Sequence, residues 1–211
     1  MNGRGAILRG GTAAAAAAAL ALAAGCGGGE RQDADVRAAT YTVERPVVTF
    51  PHEQDLAQES VMSIAVTNAG EEQIPNLAVT VEAAREGTRA AAFGTLTEQP
   101  GVASRSRPVW IVDEGPGDTA FANTWAIGPV APGATRTFRW RVSSIRAGRW
   151  RVGWRLAGAL GNQARVVVKG GRPAAGAVTI DVSSKPGQAR VDRNGDVVRV
   201  SGRDFDERTT R

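Results

Sequence analysis

The chain has 211 residues, 42% hydrophobic and 22% charged, enough for one ordinary core and too few for two generous ones. A single Cys, a single His and two Met exclude an intramolecular disulfide, cysteine-rich zinc or iron–sulfur sites and most histidine-based catalytic sets. The net charge of +5 hides an asymmetry: Glu30 to Asp118 holds 15 acids against 7 arginines, whereas Phe121 to Ile180 holds 10 bases and no acid.

Residues 1–25 read as an export signal. Arg4 and Arg9 precede an unbroken small-apolar run, Thr12 to Ala24, which Ala23-Ala24-Gly25-Cys26 closes. The run is shorter than the roughly 20 residues that a membrane-spanning helix needs. Small residues just before a cysteine resemble the lipobox of bacterial lipoprotein signals, although the position three before Cys26 is Ala23 where that family prefers Leu. The resemblance implies that Cys26 receives a diacylglyceryl group and becomes the first mature residue. The alternative is a secreted protein cut at an Ala-x-Ala-like site with a free thiol left over, a liability outside the cell. Two acyl chains suffice for stable anchoring. Gly27-Gly28-Gly29 and the polar stretch after it make residues 26–40 a flexible tether.

From Tyr41 on, period-two alternation replaces helical spacing. Met62, Ile64 and Val66 alternate with Ser63, Ala65 and Thr67, and Leu77, Val79 and Val81 with Ala78, Thr80 and Glu82. Phe138, Trp140 and Val142 oppose Arg139 and Arg141; Trp150, Val152, Trp154 and Leu156 oppose Arg149, Arg151 and Arg155. Such alternation predicts antiparallel sheet with one dry and one wet face. Strands are expected at 41–49, 58–68, 76–84, 107–113, 120–126, 134–143, 148–157 and 163–169, with turns at Asn68-Ala69-Gly70-Glu71, Gly115-Pro116-Gly117-Asp118, Ala131-Pro132-Gly133 and Ala147-Gly148. Residues 85–106 read as a loop or a short helix. The fold class is all-β, an antiparallel sandwich or barrel over residues 41–170.

Four pieces in order resemble bacterial cell-surface immunoglobulin-like domains of the cell-adhesion-related and conserved-repeat types: residues 65–70, 74–81, 127–133 and 147–152. The resemblance covers about residues 58 to 169. It implies a seven-stranded sandwich with adhesive or structural duties and no catalytic residues to carry over. The segment 107–126 is longer than that family's usual middle. Residues 171–211 are expected to be a linker, a β-hairpin about Asn194-Gly195 that packs on the sandwich or extends a sheet edge, and a frayed tail.

Candidate sites are few. Trp140, Trp150 and Trp154 fall on apolar faces and are expected in the core, whereas Trp110 and Trp125 flank the long loop and are candidate ligand-facing aromatics. The Trp150 indole, at a strand start after Gly148, is positioned to tie down a loop. Arg139, Arg141, Arg149, Arg151 and Arg155 are candidate anion-binding residues for phosphate-rich envelope polymers or lipid headgroups, or else they pair with the acidic first half or keep a face wet. Asp113, Glu114 and Asp118 are read as a solvated turn rather than a calcium loop, His52 as a surface residue, and Asp55 and Glu59 as the nearest paired carboxylates, not a glycosidase pair because no aromatic cleft signal surrounds them. No nucleophile–base pair or metal cluster is recognisable, and no cofactor is expected. The functional expectation is a non-catalytic, lipid-anchored binding or structural module of the cell envelope, facing the exterior or periplasm, with a membrane, an envelope protein or an anionic polymer as partner and no nucleic acid. The alternative is an accessory domain of an envelope enzyme or transporter whose basic stretch holds an anionic substrate or partner.

Overall fold

A computed structural model describes residues 37–94, 108–117, 119–121, 123–160 and 163–200. The lipobox, Cys26 and most of the tether lie outside these residues.

The chain begins with β1 (Ala39–Val43) and β2 (Val47–Thr49), where one strand was expected over 41–49. Pro46 separates them; it has no N–H for a ladder and holds φ near −65°. The chain changes sheets there, β1 lying parallel to β13 (Ala164–Val168) and β2 antiparallel to β4 (Glu59–Thr67). Between β2 and β4 comes β3 (Glu53–Leu56), a strand without alternating hydrophobicity.

After β4 the chain forms β5 (Ala78–Arg85), β6 (Thr88–Ala91), β7 (Phe93–Gly94), β8 (Trp110–Glu114), β9 (Thr119–Phe121), β10 (Thr124–Ala126), β11 (Thr135–Ser144) and β12 (Gly148–Ala157). Where a loop or short helix was expected at 85–106, the described residues as far as Gly94 form the end of β5, a turn, β6 and β7, and residues 95–106 lie outside the described residues. Glu86 and Gly87, with φ of 49° and 79°, turn β5 directly back on β6, as a two-residue hairpin with both φ positive requires. The expected strand at 120–126 is the hairpin β9–β10.

The nine-stranded sheet runs β1-β13-β12-β5-β10-β9, with β6 on β5 and β14 (Ala175–Pro186) joining β12 to β3. The second sheet runs β2-β4-β11-β8-β7. The fold is an all-β, immunoglobulin-like sandwich. It is not wholly antiparallel, because β1/β13, β14/β3 and β7/β8 pair in parallel. Nor does the nine-stranded sheet stop at residue 170: β14 pairs with β12 over eight positions, from Gly148↔Val182 to Arg155↔Ala175. Beyond it, β15 (Gln188–Val191) and β16 (Val197–Val200) form a two-stranded sheet of their own rather than extending an edge. Gly195 N–H donates to Asp192 O at 3.2 Å, and Gly195 has φ +89°, so Asn194-Gly195 belongs to a three-residue loop rather than a two-residue turn.

One core fills the sandwich. Met62, Ile64 and Val66 of β4 and Phe138, Trp140 and Val142 of β11 meet Val79 and Val81 of β5 and Trp150, Val152 and Leu156 of β12. The alternation read from the sequence is thus the inward face of each sheet. Phe138 and Trp140 stack with centroids 5.8 Å apart at 10°.

Three of the four pieces that carry the family resemblance meet at one end of this core. Ile74 and Val130 exchange backbone hydrogen bonds, and Leu77 N–H donates to Gly128 O. Asn68, buried, closes this end: its Nδ2 donates to Glu72 O and Val130 O, and its Oδ1 accepts from Gly70 N–H. A buried amide is stable only when such bonds are made, which is why a turn residue can sit inside the core here.

Candidate functional site

The five candidate anion-binding arginines do not form one surface. β11 belongs to the five-stranded sheet and β12 to the nine-stranded sheet, so Arg139 and Arg141 project from one outer face and Arg149, Arg151 and Arg155 from the opposite one.

On the five-stranded side, Arg141 is bound to Glu114 through Nη2 and Oε2, and Ser143 Oγ donates to Asp113 Oδ2 at 2.8 Å. Asp113 and Glu114 are strand residues engaged with β11 rather than members of a free turn, and Asp118 lies outside the described residues. A groove of about 430 Å³ beside them is lined by Glu59, Thr137, Arg139 and Arg141. Its charges alternate in sign, and its pair is exposed, a geometry in which an ion pair contributes little.

The nine-stranded face is different. Its register sets Arg149 opposite Asp181; Arg151 between Ala84 and Thr179; Gly153 between Glu82 and Ala177; and Arg155 between Thr80 and Ala175. Arg89, opposite Ala84, and Arg165, opposite Ala157, share this outer side. A recess of about 420 Å³ opens over Gly153, with Arg151 and Arg155 at its ends and Glu82 and Thr80 along one side. Arg149, Arg151 and Arg155 make no ion pair among the described residues. Among the described residues, Arg141–Glu114 and Lys169–Glu44, the latter at 2.5 Å, join the acidic first half to the basic stretch. These pairs leave the β12 arginines out.

Trp110 and Trp125 are not ligand-facing. They are 0% and 3% exposed, and their rings belong to the core. Trp110 Nε1 donates to Gln54 Oε1 at 2.8 Å, and Gln54 Nε2 donates to Pro51 O at 3.0 Å. Trp125 meets Trp140 edge-on, at 5.4 Å and 80°, and Phe93 at 5.7 Å and 67°. Strands as short as β8 and β10 show no alternation long enough to reveal which way these side chains point. Trp140 and Trp150 are core residues as expected, and Trp154 is half-buried against the core. The Trp150 indole does tie down a loop, donating to Arg146 O at 3.2 Å, while the Arg146 guanidinium lies 4.7 Å over the ring.

His52 Nδ1 donates to Thr179 O at 3.0 Å, binding the start of β3 to β14. Asp55 is buried: its N–H donates to Gln58 Oε1, and its carbonyl accepts from Ser144 Oγ. Among the described residues no three His, Cys, Asp or Glu side chains gather as a metal site. Gln54 and Gly153 are the two positions that sequence reasoning passed over: the first has no hydrophobic signal, and the second is a glycine inside a strand.

No protein-family model and no curated protein sequence matches the chain. Among solved structures it is similar to the CARDB domain of a Pyrococcus furiosus protein, determined in complex with di-metal ions, with TM-score 0.41 and 12% identity over 68% of this chain and 93% of that one. It is also similar to native alpha-2-macroglobulin from Escherichia coli spanning domain MG7 to the C-terminus, with TM-score 0.41 and 13% identity over 75% of this chain and 21% of that one. Alpha-2-macroglobulin from Salmonella, reacted with methylamine, is similar with TM-score 0.40 and 13% identity over 70% of this chain and 7% of that one.

Proposed function

We propose that the chain is an exported, lipid-anchored, non-catalytic binding or structural module of the bacterial cell envelope. The observation that carries this reading is the order of the first 26 residues: basic start, short apolar run, small residues, then the only cysteine. Thioether-linked diacylglyceryl and an acylated amino terminus at Cys26 would hold the sandwich at a membrane surface, with residues after Cys26 as spacer. The sandwich supplies a rigid body with two broad outer faces, a form suited to contact rather than to chemistry.

The test is fractionation of cells making the wild-type chain and Cys26→Ser. The wild type is expected in the membrane fraction, labelled by radioactive palmitate, and the variant in the soluble fraction without label. A Cys26→Ser protein that stays as firmly in the membrane would overturn the anchor.

The second reading, an accessory domain that holds an anionic substrate or partner, is favoured by the β12 arginines, which no acid pairs among the described residues. Under it, binding of the folded body to an anionic polymer falls steeply between low and physiological salt; absence of binding at low salt removes it.

A further inference from the structure

Gly153 sits at the sixth position of a ten-residue strand, where a glycine weakens the sheet and offers no side chain to cross-strand neighbours. Nothing in the fold requires it. Its φ lies outside the left-handed region, and a Cβ built there would meet only Gly176 O at 3.9 Å, an ordinary contact. Gly176, which pairs with Trp154 one position along the same ladder, is a contrast: a Cβ there would come within 2.6 Å of the Trp154 ring, so packing demands that glycine. A strand glycine with no conformational or packing reason marks a place where something else approaches the backbone.

We propose that the recess over Gly153 is a binding site for an acidic glycan of the uronate type. Arg151 and Arg155 stand at its two ends, four residues apart on one strand and so about 13 Å apart along it. Each guanidinium offers a fork of donors that matches a carboxylate bidentately. Between them the floor is the Gly153 backbone, with Ala177 on one side and Glu82 directly opposite on the other.

Glu82 decides the ligand class. An ionised carboxylate only accepts hydrogen bonds, so it is matched by a ligand that carries hydroxyl donors beside its charge, as an acidic sugar does and a sulfate does not. An acidic oligosaccharide presents carboxylates for the two arginines with hydroxylated rings between them. A plane of lipid headgroups does not fit as well: it cannot enter a recess, and it would lie against Glu82, Glu53 and Asp181, all of which share this face. The site rests on the reading of the chain as a binding module but not on the anchor.

The experiment is calorimetric titration of the full chain, in detergent, with tetragalacturonate, with cellotetraose and with inorganic phosphate, and of detergent-free Cys26→Ser, which carries no acyl chain, with tetragalacturonate and with phosphatidylglycerol vesicles. Tetragalacturonate is expected to bind at low salt at least about tenfold more tightly than cellotetraose or phosphate. Gly153→Val, which fills the recess and leaves every charge in place, is expected to weaken it about tenfold while circular dichroism and the urea midpoint are kept; Gly153→Ala does so partially if valine disturbs the sheet. Arg151→Ala and Arg155→Ala each weaken it by a similar factor, and Glu82→Gln weakens it several-fold. No tetragalacturonate binding, full binding by both Gly153 variants, tighter binding by Glu82→Gln, or a preference for vesicles each overturns the proposal. Cys26→Ser is expected to bind normally, so loss of the anchor and loss of the glycan site are read separately.

Discussion

The side-chain amide of Asn68 donates to the carbonyl of Val130 at 3.0 Å, joining residues 62 positions apart at a point from which water is excluded. With its bonds to Glu72 O and Gly70 N–H, this one side chain holds the turn after β4 to the turn before β11. Asn68→Ala strands these backbone groups in the core, and a loss of about 2–4 kcal/mol is expected. Urea unfolding followed by tryptophan fluorescence measures it; a loss under about 1 kcal/mol shows that the turns hold without the amide.

Trp110 and Gln54 are a buried donor–acceptor pair. Trp110→Phe leaves Gln54 Oε1 without its donor, and Gln54→Leu leaves the indole N–H without its acceptor, so each costs more than the bond itself contributes. In the double variant neither group is orphaned. A double-mutant cycle is expected to give a coupling of about 1–2 kcal/mol, and additive losses would show that the pair is not made in solution.

Gly153 of β12 and Gly176 of β14, one position out of register with each other, respond in opposite ways. Gly176→Ala must displace the Trp154 ring, at a cost of about 1–3 kcal/mol, whereas Gly153→Ala is neutral or stabilises by about 0.5 kcal/mol because it restricts the unfolded chain and meets no close neighbour. Thermal midpoints of the two variants check this. Destabilisation by Gly153→Ala equal to that of Gly176→Ala removes the argument that this glycine is free of structural duty.

The β15–β16 hairpin pairs only with itself in the described sheets, and Val191 and Val197 are mostly exposed. A two-stranded ribbon contributes little alone. A chain ending at Gly187 is expected to keep its urea midpoint, with a free-energy change within about 0.5 kcal/mol. A chain ending instead at Lys169, which removes β14, is expected not to fold, because Ile180 and Val182 of β14 are core residues that would leave a partner face of β12 open to water.

The strands that were legible are those long enough to show alternation. The 58–68, 134–143 and 148–157 segments needed only local information, since a strand buried on one face repeats every two residues. What failed was shorter or two-sided. Pro46 splits 41–49 because the chain must leave one sheet for the other, and β3 shows no pattern because pairing with β14 creates it. Trp110 and Trp125 looked available because they border a loop. Their burial comes from Phe50, Phe93, Trp140 and Gln54, which are remote in sequence.

By itself, the order of residues determined the class of structure and the dry face of each long strand, because periodicity is a local property. Only the tertiary structure decided which arginines share a surface. β11 and β12 are consecutive and equally basic, yet they lie in different sheets, so adjacency in sequence became separation across the core. The same packing showed which of the two glycines on this ladder, Gly153 or Gly176, a neighbouring ring demands, since a missing side chain has meaning only against the atoms that surround it.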